Sequence, residues 1–134
     1  GSLGRRMLTT IGDLMHIGEQ IPVVYENSDI SVIISEMTQK RLGVTLITNK
    51  KKQLKGIITD GDLRRMIEQK KDISKIRARD LVNDFPKWLE KDNLATKAVQ
   101  LMEEYSITSL VVSANGKKID GIIHLHDLLK AGII

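Results

Sequence analysis

The chain contains two copies of one sequence pattern. The octapeptide GIITDGDL, which begins at Gly56, recurs 65 positions later as GIIHLHDL from Gly121. At the same offset, VTLIT at 44–48 corresponds to SLVVS at 109–113, and DLM at 13–15 corresponds to DLV at 80–82 at an offset of 67. Such self-similarity is the signature of a duplicated structural unit. The chain is therefore predicted to fold as a tandem repeat.

Each copy is predicted to form a strand, a helix, two strands and a second helix. The first helix of each copy is indicated by apolar residues that recur on one helical face. In the first copy Ser28 or Asp29 is available as the N-cap, and in the second copy Asp92 or Asn93. The apolar residues are Ile30, Ile33, Ile34 and Met37 in the first copy, and Leu94, Ala98, Leu101, Met102 and Tyr105 in the second.

Two short runs rich in β-branched residues follow each of these helices. They span 44–48 and 56–59 in the first copy, and 110–113 and 119–123 in the second. Polar segments of turn composition separate the runs, and Asn115-Gly116 is a strong turn signal. Each copy is therefore predicted to contain an antiparallel hairpin.

The domain organisation follows from these boundaries. A single repeat of about 60 residues buries so little apolar surface that it would be only marginally stable by itself. The two copies are therefore predicted to share a core across a pseudo-twofold axis. The expected fold class is α/β (α+β), with two β-α-β-β-α repeats. Residues 11–69 form the first repeat, 70–79 a charged linker and 80–134 the second repeat. Residues 1–10 are interpreted as an interdomain linker remnant or a tag scar.

Composition excludes several classes of protein. The chain has no cysteine, which rules out disulfides, thiolate metal sites and a catalytic thiol. Its net charge of +4 is spread along the chain and it has only four aromatic residues, so nucleic-acid binding is not expected. No apolar run is long enough to cross a bilayer and no signal peptide is recognised, which predicts a cytoplasmic protein without a membrane partner.

The duplicated hairpin-to-helix pattern resembles a pair of cystathionine beta-synthase (CBS) domains, a regulatory module, over about residues 11–129. The segments SLGRRML at 2–8, ITDGDLRR at 58–65 and HLHDLLKAG at 124–132 are similar to the CBS pair of bacterial arabinose 5-phosphate isomerases. That resemblance implies a regulatory fragment without catalytic residues, attached in the intact protein to an N-terminal sugar isomerase (SIS) domain. It also implies a homodimer within a parent tetramer, and a role in lipopolysaccharide biosynthesis.

The resemblance implies a nucleotide site in the cleft between the repeats. CBS pairs that bind adenine nucleotides carry a G-x-x-T/S-x-x-D signature, which the first copy matches with Gly56, Thr59 and Asp62, and Asp60 lies within it. A helix N-terminus favours phosphate, and an ionised Asp accepts two ribose hydroxyls. The alternative is that Thr59 and Asp62 only cap the helix. No cofactor is required, and the effector is predicted to be AMP, ATP or a CMP-sugar.

The second copy departs from this signature. It keeps Gly121 and Asp127 but has His124 in place of the hydroxyl residue, and His126 follows. Because His is a poor N-cap, His124 is interpreted as a contact for a different anionic ligand, such as the carboxylate and phosphate of a CMP-sugar. A metal site at this histidine pair is the disfavoured alternative, since no third ligand is evident. His16 is interpreted as a surface or capping residue.

Three further residues at the starts of the central strands are candidates for the lining of the cleft, with ordinary strand packing as the alternative: Thr45, Thr108 and Ser109. The competing function is a structural oligomerisation module with degenerate ligand sites. Its surface would be supplied by apolar residues of the closing helices, which are Leu63, Met66, Ile67, Leu128 and Leu129. A small Mg²⁺-dependent hydrolase that uses Asp60, Asp62 and Asp127 is the least favoured interpretation.

Overall fold

The computed structural model describes residues 2–69, 72–82 and 85–134. Lys70 and Lys71 of the predicted linker lie outside the described residues, as does Gly1. The chain divides into two compact units. The first-repeat unit is Glu19–Pro86, and the second-repeat unit combines Gly1–Gly18 with Lys87–Ile134.

Both units have the predicted order of strand, helix, strand, strand, helix. The first-repeat unit contains β1 (Val23–Tyr25), α3 (Ile30–Lys40), β2 (Val44–Thr48), β3 (Leu54–Thr59) and α4 (Asp60–Gln69). The second-repeat unit contains β4 (Trp88–Leu89), α5 (Ala95–Tyr105), β5 (Ser109–Val112), β6 (Gly121–His124) and α6 (Leu125–Lys130). Two short helices precede them, α1 (Ser2–Leu8) and α2 (Ile11–Leu14). The α/β fold class predicted from sequence is confirmed.

Each unit has a three-stranded mixed sheet with the first strand of its hairpin in the centre. In the first-repeat unit β1 pairs with β2 in parallel and β2 pairs with β3 in antiparallel, so that Val44 lies opposite Thr59. In the second-repeat unit β4, β5 and β6 are paired in the same way, and Ser109 lies opposite His124. A bulge between Ile47 and Thr48 interrupts the first hairpin. Both predicted hairpins are therefore present, and each delivers its last strand directly into a helix.

The helices α3 and α5 are amphipathic, but their buried stripes are narrower than predicted. Ile30, Ile33 and Met37 are buried in α3, and Ala95, Ala98 and Met102 in α5. Three predicted stripe residues lie at the edges of these faces and are about 40% exposed or more, namely Ile34 (40%), Leu94 (44%) and Tyr105 (44%). Each unit has its own apolar cluster. The shared core between the repeats stays a prediction.

The N-cap of α3 is predicted correctly and that of α5 is not. Asp29 accepts a hydrogen bond from the Val32 N–H at 3.0 Å. The N-cap of α5 is Leu94, which makes no side-chain capping bond, instead of Asp92 or Asn93. The Ala95 N–H donates to the main-chain carbonyl of Thr9 at 2.8 Å. A carbonyl from a distant segment thus satisfies a donor for which the sequence predicted a local side chain.

The two DL segments, 13–15 and 80–82, each belong to the compact unit of the other repeat. Met15 packs against β6 of the second-repeat unit, whereas its counterpart Val82 packs against β3 of the first-repeat unit. Ile76 and Ala78 of the predicted linker are also buried in the core of the first-repeat unit. Each repeat's leading segment therefore belongs to the unit of the other repeat. The predicted repeat boundaries describe the duplication of the sequence, and the units describe its packing.

Candidate functional site

The junction of β3 and α4 is a reciprocal capping box. The Asp62 N–H donates to Thr59 Oγ1 at 3.1 Å, and the Thr59 N–H donates to Asp62 Oδ2 at 3.0 Å. This is the bonding that satisfies the first N–H groups of a helix. Because Thr59 Oγ1 is the acceptor in its bond, its own O–H proton is available for a further acceptor. The capping alternative is thus realised, and it leaves one hydroxyl donor.

Two arginines neutralise the carboxylates at this junction. Arg65 donates to Asp62 Oδ1 at 2.7 Å, and Arg64 donates to Asp60 Oδ2 at 3.3 Å. The Arg65 and Arg64 side chains are 64% and 69% exposed, so these pairs contribute little to stability. Asp60 is fixed through its backbone, since its N–H donates to the Gly43 carbonyl at 2.9 Å. The predicted site residues Thr59, Asp60 and Asp62 are therefore held together at the start of α4.

Gly56, three residues before Thr59 in β3, has a packing role. A Cβ at this position would lie 2.7 Å from both Cγ atoms of Val82. Its counterpart Gly121 is equally confined, because a Cβ there would lie 2.7 Å from the His16 carbonyl oxygen. The two glycines of the signature thus allow the duplicated DL segments to cross the last strand of each sheet. Their predicted part in ligand binding stays a prediction.

His124 is the N-cap of α6, which the sequence interpretation did not expect. Its Nδ1 accepts a hydrogen bond from the His126 N–H at 3.0 Å, and its own N–H donates to Asp127 Oδ2 at 2.7 Å. An imidazole can do this because its unprotonated nitrogen is an acceptor. The histidine therefore replaces Thr59 in function as well as in sequence. The argument that helix formation does not explain His124 is wrong.

His16, His124, His126 and Asp127 form one group of contacting side chains, the histidine cluster. The sequence predicted only a surface or capping role for His16. Its Nε2 lies 2.8 Å from Asp127 Oδ1 and 3.0 Å from Oδ2. An isolated antiparallel bridge to Ile122 holds the His16 backbone beside β6. The two residues are 111 positions apart, so no local pattern predicts the pair. The available signal was the DL motif at 13–15, which directly precedes His16 and recurs in the second copy.

The electrostatics of this cluster favour a neutral His124. Burial lowers the pKa of His124 below its ordinary value of 6.5, and the charges of His126 and His16 lower it further. The carboxylate of Asp127 acts in the opposite direction but is outweighed. The ring of His126 lies 4.3 Å from that of His124, centroid to centroid. A neutral His124 is also what its acceptor role at Nδ1 requires.

Two of the predicted lining residues have buried hydroxyls without partners. Thr45 Oγ1 and Ser109 Oγ form no hydrogen bond, and the two residues are 0% and 7% exposed. Each lies at the beginning of the central strand, next to the end of the strand that leads into the closing helix. Thr108 is exposed, and its carbonyl accepts from the Leu125 N–H at 2.8 Å. The structure thus brings Thr45 close to the β3–α4 junction and Ser109 close to the β6–α6 junction.

The residues proposed for an oligomer surface are divided. Leu63 and Leu128 are buried at 6% and 0% exposure and belong to the two cores, so they cannot supply a surface. Ile67 and Leu129 are 40% and 50% exposed. Met66 is partly buried against the first core. Of the five predicted surface residues, only Ile67 and Leu129 are exposed to solvent.

The described residues contain neither a candidate metal cluster nor a candidate membrane span. Within 2–69, 72–82 and 85–134, no group of three or more His, Asp or Glu side chains is placed to hold a metal ion. Across those same ranges, no helix combines the length and the apolar character that crossing a membrane requires.

Comparison with known proteins places the fold and the repeat. The model of the CBS domain family matches residues 11–69 and 78–133. Arabinose 5-phosphate isomerase KdsD of Yersinia pestis is 38% identical over all 134 residues, which are 40% of the length of that relative. AcuB from Vibrio cholerae has a TM-score of 0.82 at 17% identity, over 94% of this chain and 91% of its own. CBSX2, solved in complex with AMP, has a TM-score of 0.78 at 22% identity, over 93% and 96%. Because the family model matches both repeats, this chain belongs to the CBS domain family.

Proposed function

We propose that this chain is a regulatory module that binds a nucleotide and has no catalytic activity of its own. In the intact protein it would be attached to a sugar-phosphate isomerase domain of the SIS type. The support for that attachment is the identity of 38% to an arabinose 5-phosphate isomerase, of which this chain spans 40%. A module of this kind acts because its ligand binds one arrangement of the protein more tightly than another.

The observation that carries the proposal is the pair of unpartnered hydroxyls, Thr45 Oγ1 and Ser109 Oγ. Buried polar groups in proteins are almost always hydrogen-bonded, so two exceptions at corresponding ends of the two sheets call for a ligand or water. Each exception adjoins a strand-to-helix junction. A ligand that occupies a junction would give the adjacent hydroxyl a partner.

The first-repeat junction supports phosphate and ribose recognition. The spare O–H of Thr59 can donate to a phosphate oxygen, and α4 presents the positive end of a ten-residue helix. The Asp62 carboxylate can accept ribose hydroxyls if Arg65, whose side chain is 64% exposed, moves aside. Because CBSX2 was solved with AMP, AMP is the first ligand to test and ATP the second.

The second-repeat junction supports a different ligand less strongly. A neutral His124 offers no positive charge, so the recognition of a CMP-sugar carboxylate would fall to the exposed His126. Asp127 has one oxygen bonded to His16 and the other shared between His16 and the His124 N–H. A hydroxyl of a ligand would compete with these donors for the Asp127 oxygens.

Isothermal calorimetry with AMP, ATP, CMP and a CMP-sugar tests the proposal. We expect an adenine nucleotide to bind, and Thr45→Val to weaken it by about tenfold, as expected for a hydrogen bond that is lost in a buried site. Thr45→Val preserves shape and removes an unsatisfied oxygen, so it should not lower stability. The matched control is Thr96→Val, the same change at an exposed position of α5 in the other unit. If none of the four compounds binds, the nucleotide proposal fails.

The second candidate is an oligomerisation module with degenerate ligand sites. It is favoured by the hydrogen bonds that both oxygens of Asp127 already accept and by the use of His124 as a helix cap. A ligand at 100 times its Kd would raise the apparent free energy of unfolding by about 2.7 kcal/mol. A thermal melt that no nucleotide shifts, together with a stable dimer in light scattering, would decide for this candidate.

A further inference from the structure

We propose that a groove at the β2–β3 hairpin binds a small phosphate monoester that also carries hydroxyl groups. The groove has a volume of about 690 Å³, which is within the range of small-molecule sites. It lies entirely in the first-repeat unit, beside Tyr25, Thr48, Lys50 and Arg79. This inference does not depend on the proposed function of the junctions.

The groove is at the opposite end of the hairpin from the β3–α4 junction. Val44 lies opposite Thr59 at the junction, whereas Thr48 lies opposite Leu54 at the other end of the strand. The two ends of β2 are four residue steps apart, which is about 13 Å. A ligand in the groove is therefore distinct from one at the junction.

The charges that line the groove favour a dianion. Three basic residues line it, Lys50, Lys51 and Arg79, against one carboxylate, Glu26. None of the ion pairs formed by described residues involves any of these three basic side chains. Arg79 donates to the amide oxygen of Asn27, which is neutral and leaves the guanidinium charge uncompensated. Guanidinium and ammonium groups in such a setting match the charge and acceptor geometry of a phosphate.

A hydroxyl without a partner lies among these groups. Thr48 is 2% exposed, and its Oγ1 has no hydrogen bond. The corresponding residue of the other repeat, Ser113, uses its hydroxyl to accept from the Gly116 N–H at 2.9 Å and so holds its hairpin turn. In the first hairpin Asn49 does that work, since its Oδ1 accepts from the N–H groups of Lys51 and Gln53 at 3.0 and 2.9 Å. The Thr48 hydroxyl is thus not needed by the turn and can serve a ligand.

The second-repeat unit lacks the same groove chemistry, which makes it an internal control. At the offset of 67 that relates the DL motifs, Arg79 corresponds to Gly12, so the guanidinium is missing. The indole of Trp88 also packs on the second hairpin, since a Cβ on Gly116 would lie 2.7 Å from its Nε1. Two further residues of the first groove, Tyr25 and Glu26, could contact the carbon atoms and hydroxyls of a phosphate ester. Tyr25 is 52% exposed and offers a ring face, and Glu26 can accept from hydroxyls.

The test is an NMR titration of the ¹⁵N-labelled chain with inorganic phosphate, glucose 6-phosphate and glucose. We expect both phosphates to shift the amide signals of Thr48, Lys51 and Arg79, with the ester the tighter, and glucose to shift none. Arg79→Gln and Thr48→Val should each weaken phosphate binding by about tenfold. Arg79 is exposed, so its variant is expected to fold even if the Thr48 variant does not.

The matched control removes the same charge from the other hairpin. Lys117→Gln and Lys118→Gln, both at exposed positions, should leave phosphate binding unchanged. Equal weakening by these controls would mean that the phosphates follow net charge alone, and the proposal would be wrong. Shifts confined to Thr59 and its neighbours would place phosphate at the junction and also overturn it. An ester that binds no tighter than inorganic phosphate would refute the recognition of its carbon frame.

Discussion

The packing role of Gly56 leads to a double-mutant prediction. Gly56→Ala places a Cβ 2.7 Å from both Cγ atoms of Val82, a separation that real Cβ atoms do not tolerate. Overpacking of this kind costs about 1–3 kcal/mol. Replacing a strand glycine by alanine also returns about 0.5–1 kcal/mol of backbone entropy. The net loss in free energy of unfolding should therefore be about 0.5–2 kcal/mol.

Val82→Ala removes both of the atoms that clash. The valine is partly buried against the first core, so the single change should itself cost about 1–2 kcal/mol. In this background Gly56→Ala meets no Cγ atom, and its own effect should fall to about zero or become slightly stabilising. The two changes should thus be non-additive by about 1–2 kcal/mol.

Urea unfolding followed by circular dichroism measures all four proteins of the cycle. Gly4→Ala is a control for the general effect of adding a methyl group, because nothing lies within 4 Å of a Cβ at that position. If Gly56→Ala lowers the free energy of unfolding equally with valine and with alanine at 82, the steric explanation is wrong. The glycine would then be required for another reason, of which the predicted ligand contact is the first to examine.

Three further predictions concern the helix ends and the histidine cluster. Because the pKa of His124 is lowered in the folded state, the unfolded chain binds more protons below pH 6.5, and stability should fall as the pH drops from 7.5 through 5.5. His124→Asn keeps a capping side chain and should reduce that slope, as urea unfolding at the two pH values would reveal; an unchanged slope would assign it to other groups. Asp62→Ala removes the partner of the Thr59 N–H and should cost about 0.5–2 kcal/mol, measured by the same method, and a neutral result would contradict the capping box. Ser106 adopts the left-handed conformation at φ 54°, which glycine tolerates without strain. Ser106→Gly should therefore raise the free energy of unfolding by about 0.5–1 kcal/mol, seen as a higher melting temperature, whereas Ser106→Ala keeps the strain and should not.

Local sequence patterns determine much of this fold. The duplication, the two hairpins and the order of elements depend on residues close in sequence, whose side-chain period and turn chemistry are set locally. The α3 cap at Asp29 and the capping box of Thr59 and Asp62 are likewise spaced three residues apart. Such features can be predicted because the interacting atoms are neighbours along the chain.

Only the tertiary structure decided which segments pack together and which polar groups are left over. The pairing of His16 with Asp127, the capping of α5 by the Thr9 carbonyl and the contact of Val82 with Gly56 all join distant parts of the sequence. No periodicity encodes them, because they depend on how each repeat's leading segment crosses a sheet. The unpartnered hydroxyl of Thr48 emerges in the same way, since hydrogen-bond satisfaction is known only when every neighbour is in place.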